Sequence, residues 1–157
     1  MTETDRHILA AQGYVELGLH EEARVELAAL PAILHERADV LELRLLCHMA
    51  ARDWQSAFGL ATKLCSTEPA EPGGFIHAAY CLHEMGRTAE AMELLVKGPA
   101  SLRQKAVYFY NLGCYSACLG MVDQALTLLE QAFQRKPALR KDARHDPDLA
   151  SLREQLR

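Results

Sequence analysis

Aromatic side chains are scarce in this chain: they make up 6 % of its 157 residues, and Trp54 is the only tryptophan. With so few rings, packing falls to Ala and Leu, the palette of closely packed helices. Basic charge is also short. Lys and Arg number 17 against 21 Asp and Glu, giving a net charge of −4, so no positive field draws the chain to nucleic acid or anionic lipid. No apolar run approaches the roughly 20 residues of a membrane span, which excludes a membrane partner of that kind. The opening residues MTETDRHI lack the basic region and apolar core of a secretory signal. Five Cys fall in neither a CxxC motif nor a disulfide framework, so reduced thiols and a cytoplasmic location are expected. Absent too are a Ser-His-Asp order, a Gly-rich phosphate loop and HExxH, so neither enzymatic activity nor a cofactor is expected.

What is present is a repeat. The stretch QKAVYFYNLGCYSACLGMVDQALTLLEQAFQRKP, from Gln104 to Pro137, reads as two amphipathic helices joined by a tight turn at Gly120. Phe109, Leu112-Gly113, Gly120, Ala125, Leu129 and Pro137 stand at the offsets of a known 34-residue signature, with Ser116 where that pattern has Tyr. Steps of 34 back from Ala125 reach Ala91, Ala57 and Ala23. The same steps from Gly120 reach Gly86, Arg52 and Gly18, and from Leu129 they reach Leu95, Ala61 and Leu27. Small residues also recur at Gly113, Ala79 and Ala11, although Leu45 interrupts that column.

These residues resemble the tetratricopeptide repeat (TPR) family over residues 4–137. The resemblance implies an all-α fold, an α-solenoid of four 34-residue helix-turn-helix repeats at about 4–37, 38–71, 72–105 and 106–139, closed by a C-terminal capping helix over 146–157. Units of this kind bury their apolar faces by stacking, and a terminal element with a polar outer face completes the array. Local signals agree with that division. Thr4-Asp5 offers an N-cap, and Pro31 ends the second helix early. Asp53 caps the helix that begins at Trp54, while EPAEPGG makes the clearest break in the chain. Gly98-Pro99 stops another helix, and Ser101 to Gln104 has capping-box spacing for the next. Asp146-Pro147-Asp148 opens the last helix, with Leu149, Leu152 and Leu156 along one face.

The family resemblance implies a protein-interaction module whose concave groove is lined by the first helix of each repeat. Carried over, the groove takes Ile8, Gln12, Val15 and Glu16 from the first repeat, then Asp39, Glu42, Leu46 and Met49 from the second. The third supplies Ile76, Tyr80, His83 and Glu84, and the fourth Val107, Tyr110, Cys114, Ala117 and Cys118. Family members that clamp a C-terminal carboxylate use Lys, Arg and Asn; here the matching columns hold Ile8, Gln12, Leu43 and His77. An apolar lining with acidic spots instead suits a protein or peptide segment with hydrophobic anchors and a Lys or Arg. Leu46, Met49, Ile76, Tyr80 and Tyr110 are expected to form the central strip. Two alternatives stand beside this one: a chaperone of secretion substrates, of the type III kind, and a self-associating subunit whose groove is closed by a second copy or by the last helix.

Cys114 and Cys118, four apart on one helix, offer two metal ligands, and His83 on a neighbouring helix offers a third. No fourth ligand is evident from the sequence, and free Cys also packs as a small hydrophobe. The sequence therefore predicts no metal site. Cys47 and Cys81 share one repeat column and read as core. His48 and His77 likewise read as core histidines rather than as bases.

Overall fold

In a computed structural model, residues 1–156 are described; their regular structure is all helical, with no β-strand among them. None of these helices is long and apolar enough to cross a membrane. The chain forms two compact units, 1–69 and 70–157. The first contains α1 (Glu3–Glu16), α2 (His20–Ala28), a 3₁₀ turn (Ala32–Leu34), α3 (Ala38–Ala50) and α4 (Trp54–Thr67). The second contains α5 (Gly73–Glu84), α6 (Thr88–Lys97), a 3₁₀ helix (Ala100–Gln104), α7 (Ala106–Cys118), α8 (Val122–Arg135), α9 (Leu139–Ala143) and a 3₁₀ helix (Pro147–Leu152). Consecutive helices pair as hairpins: α1 with α2, α3 with α4, α5 with α6, and α7 with α8.

Each hairpin turns in the same way. Among the described residues, those with positive φ are Gly18 (74°), Arg52 (58°), Gly86 (77°) and Gly120 (77°), spaced 34 apart. At each, two backbone bonds close a Schellman motif. Leu19 N–H donates to Tyr14 and Gly18 N–H to Val15; Asp53 donates to His48 and Arg52 to Met49. Arg87 donates to Leu82 and Gly86 to His83, and Met121 to Ser116 and Gly120 to Ala117. The left-handed conformation is free of Cβ conflict only for glycine, so Arg52 holds it at a cost. Arg52→Gly is expected to raise stability by roughly 1 kcal/mol, less the entropy glycine adds to the unfolded chain. Urea unfolding measures this, and a loss of stability would show that the Arg52 side chain contributes more than its backbone angle costs.

The small-residue columns sit where paired helices approach most closely. Ala23, Ala57, Ala91 and Ala125 are all fully buried, as are Ala61, Leu95 and Leu129. In the first unit Ile8, Ala11, Ala23, Leu27, Leu30, Val40, Leu43 and Cys47 form one cluster. Cys81 is likewise buried in the second unit. His48 is only half-buried, and its Nδ1 lies 3.0 Å from Asp53 Oδ2, so it is a turn contact rather than a core histidine. His77 is half-buried as well.

Several termini differ from the sequence reading. The cap of α1 is Thr2, two residues earlier than Thr4-Asp5. It forms a capping box in which Asp5 N–H donates to Thr2 Oγ1 (3.1 Å) and Thr2 N–H to Asp5 Oδ2 (2.8 Å). This arrangement satisfies two otherwise orphaned donors, and the Thr4-Asp5 alternative satisfies neither. Asp53 does cap α4, accepting from Ser56 N–H. Ser101 caps nothing: its hydroxyl donates to Ala70 O (2.6 Å), and residues Ala100–Gln104 form a 3₁₀ helix that buries Leu102. A Cβ at Gly98 would come within 2.4 Å of Leu102 Cδ1, so the missing side chain there admits the leucine.

The C-terminal element is a 3₁₀ helix over Pro147–Leu152 rather than an α-helix over 146–157, whose last residue lies outside the described ones. Residues three apart eclipse in a 3₁₀ helix, so Leu149 and Leu152 both face inward and are buried. Leu156 is only partly covered. This element packs on α7, within the second unit.

Candidate functional site

Within the first unit, α1 and α3 flank a cleft of about 400 Å³ lined by Ile8, Gln12, Val15, Glu16, Asp39, Glu42, Leu43 and Leu46. Ile8 and Leu43 are buried and make its floor; Gln12, Glu16, Asp39 and Glu42 are exposed on its rim. Gln12 Nε2 donates to Glu16 Oε1 at 3.2 Å. Arg37 grips Asp39 with two bonds, Nε to Oδ1 (2.7 Å) and the guanidinium NH₂ to Oδ2 (2.6 Å). These bonds hold the Asp39 carboxyl below the usual range. Glu16 and Glu42 have no salt-bridge partner among the described residues. The cleft therefore offers a greasy floor and unneutralised carboxylates at its edge. Ile8, Gln12, Glu42 and Leu46 are brought together here. Met49 lies half-buried on α3 outside the lining.

In the second unit, Ile76 is half-buried and Tyr80 is about one-third exposed. Burial, and then the Glu84 carboxylate, push the Tyr80 hydroxyl above its ordinary value. His83, Tyr110 and Cys114 gather with two residues that the sequence reading had assigned only to a helix cap, Asp146 and Asp148. Tyr110 Oη donates to Asp146 Oδ2 at 2.7 Å, and Cys114 Sγ lies 3.8 Å from the same oxygen. Asp148 N–H donates to Asp146 Oδ1 at 3.0 Å. His83 Nε2 lies 3.0 Å from Asp148 Oδ2, and its Nδ1 is 2.9 Å from Thr88 Oγ1. Cys118 Sγ approaches Asp148 O at 3.7 Å. The Tyr115 ring packs on His83 with centroids 4.8 Å apart.

No family model matches the chain, and no curated protein matches it. The chemistry of the second-unit cluster must be read from its own groups. Burial, reinforced by the Asp146 and Asp148 carboxylates, pushes the Cys114 thiol well above its ordinary value. Burial and Asp148 push Cys118 up to about 11. The Tyr110 hydroxyl rises for the same reasons, burial first and the bond to Asp146 second. Both thiols are thus protonated at neutral pH, and a protonated thiol is a poor nucleophile.

The cluster also decides how open this part of the expected groove is. Cys114 is 3 % exposed and Tyr110 is engaged with Asp146, so the chain's own C-terminal segment occupies those positions. Coverage of the groove by the last helix was one of the alternatives the sequence left open, and over Tyr110 and Cys114 the C-terminal segment does cover it.

Proposed function

We propose that this chain is a non-enzymatic protein-interaction module: a TPR-type solenoid of four repeats whose first-unit cleft receives a partner segment. The segment is helical or extended, carries apolar anchors for Ile8, Leu43 and Leu46, and presents a Lys or Arg to Glu16 or Glu42. Four Schellman turns at a spacing of 34 support the repeat reading. The observation that carries the binding reading is the cleft between α1 and α3. Its lining is apolar at the base and acidic at the rim, where Glu16 and Glu42 have no salt-bridge partner among the described residues. In the second unit the C-terminal segment itself takes the place of a partner over Tyr110 and Cys114.

The test is a displayed-peptide selection on the intact chain, followed by titration of the enriched peptides. They are expected to carry spaced apolar residues with a flanking cation. Leu46→Ala and Glu42→Lys should each weaken them at least tenfold, on the scale of an interface hot spot. Glu93→Ala, on α6 and paired with Lys97, serves as the control and should change nothing. Enriched peptides that bind both cleft variants like the wild type would move the interaction elsewhere. Light scattering on the same sample reports whether a second copy fills the cleft: a concentration-dependent dimer abolished by Leu46→Ala would replace the peptide partner with self-association.

A further inference from the structure

We propose that the second unit carries a binding site for a zinc-type divalent metal, with His83, Cys118 and Asp148 as its ligands and solvent in the fourth position. Three separate elements supply them: α5 gives His83, the last turn of α7 gives the Cys118 thiol, and the start of the C-terminal 3₁₀ helix gives the carboxylate. One donor atom each from His83, Cys118 and Asp148 lies within 4.8 Å of the other two. Cys114, Asp146 and Asp148 form a second trio within the same limit, beside the first and sharing Asp148 with it.

The distances suit a small tetrahedral ion. Zinc bonds of about 2.0–2.3 Å give ligand-to-ligand edges of roughly 3.3–3.8 Å, so the donors need to draw together by only about 1 Å. A thiol, an imidazole and a carboxylate also match the softness of zinc; calcium and magnesium prefer oxygen alone.

The surroundings are arranged as supports. Thr88 Oγ1 holds His83 Nδ1, which directs Nε2 toward Asp148, beside the Cys118 thiol. A metal-binding imidazole is ordinarily oriented by such a bond on its other nitrogen. Asp146 is already occupied, taking Tyr110 Oη on one oxygen and Asp148 N–H on the other. It therefore acts as a positioning residue that presents Asp148. Among the described residues no Lys or Arg pairs with Asp146 or Asp148, and His83 is the only basic group bonded to either. A divalent cation supplies the positive charge that the two carboxylates lack. The Cys118 thiol gives up its proton to solvent as it ligates, so uptake is accompanied by proton release.

The test uses the full-length chain, freed of metal by chelator, titrated with Co²⁺ and then with Zn²⁺. The expected result is one cobalt per chain, with a thiolate-to-cobalt charge-transfer band and the visible bands of a tetrahedral site, both removed by zinc. Cys118→Ser and Asp148→Asn should each weaken cobalt binding at least tenfold. Cys65→Ser, whose thiol lies in the first unit, should leave it unchanged. In a second measurement, zinc should slow maleimide labelling of the exposed Cys118 at least tenfold. Absence of the charge-transfer band in the wild type, or wild-type affinity in both ligand variants, overturns the assignment. If either variant fails to fold, the wild-type labelling decides: protection by zinc sustains the site, and unchanged labelling refutes it.

Discussion

Leu149→Ala is expected to lower the stability of the second unit by about 2–5 kcal/mol, the usual cost of emptying a buried leucine site. Leu149 is 0 % exposed although it belongs to a short 3₁₀ helix near the end of the chain. Short terminal elements ordinarily fray, so a loss of this size would mark the segment as part of the core. The substitution should also loosen the grip of Asp146 on Tyr110 and uncover Cys114, which is nearly inaccessible in the intact fold. Denaturant unfolding gives the first quantity, and the alkylation rate of Cys114 in native conditions gives the second. A loss below about 0.5 kcal/mol, the range of ordinary surface changes, would mean that the segment is only laid on the surface.

Adding a single methyl group at Gly113 should cost about 1–3 kcal/mol through overpacking. A Cβ built there comes within 2.8 Å of Leu129 Cγ and 2.9 Å of its Cδ2, and Leu129 is fully buried. The next nearest atom is the Ala125 carbonyl oxygen at 3.4 Å, which belongs to the backbone of α8. Gly13 and Gly59 lie in helix interiors with nothing within 4 Å of a built Cβ. Alanine at either should therefore stabilise by roughly 0.5–1 kcal/mol, the ordinary helix-propensity gain over glycine. The three variants form a set that chemical denaturation can rank. If Gly113→Ala proved neutral or favourable, α7 and α8 would have to be packed less closely than these distances require.

The parts of this fold that could be read from residues are those fixed by local geometry. Gly18, Gly86 and Gly120 announce their turns because a left-handed residue is nearly always glycine. Arg52 turns identically but could be placed only by counting from the others. The Ala and Leu columns were visible because helix hairpins at close range tolerate few side chains there. Capping was less legible, since Thr2 and Thr4 both precede a suitable acid, and the choice depends on which donors the helix leaves open. The C-terminal segment was misjudged in type for a related reason: its 3₁₀ form allows Leu149 and Leu152 to face α7 together, which is a tertiary requirement. Ile8, Gln12, Glu42 and Leu46 came from the groove columns of the resembled family rather than from periodicity, and they line one cleft. By contrast, Cys114, Cys118 and His83 pointed to three ligands without a fourth. The carboxylate of Asp148 lies 65 residues beyond His83, and it arrives only when the chain folds back.

That return of the chain bears on the order in which contacts can form. Each hairpin joins helices that are neighbours along the backbone; the bond from His7 to Glu26, for instance, closes a span of 19 residues. The bond from His83 to Asp148 closes a span of 65. For a flexible chain the longer closure costs roughly 1 kcal/mol more in lost freedom, so it is deferred until the intervening helices have shortened the path. The docking of the C-terminal segment on α7 is then a late event, reporting that α5 to α8 are already assembled beneath it.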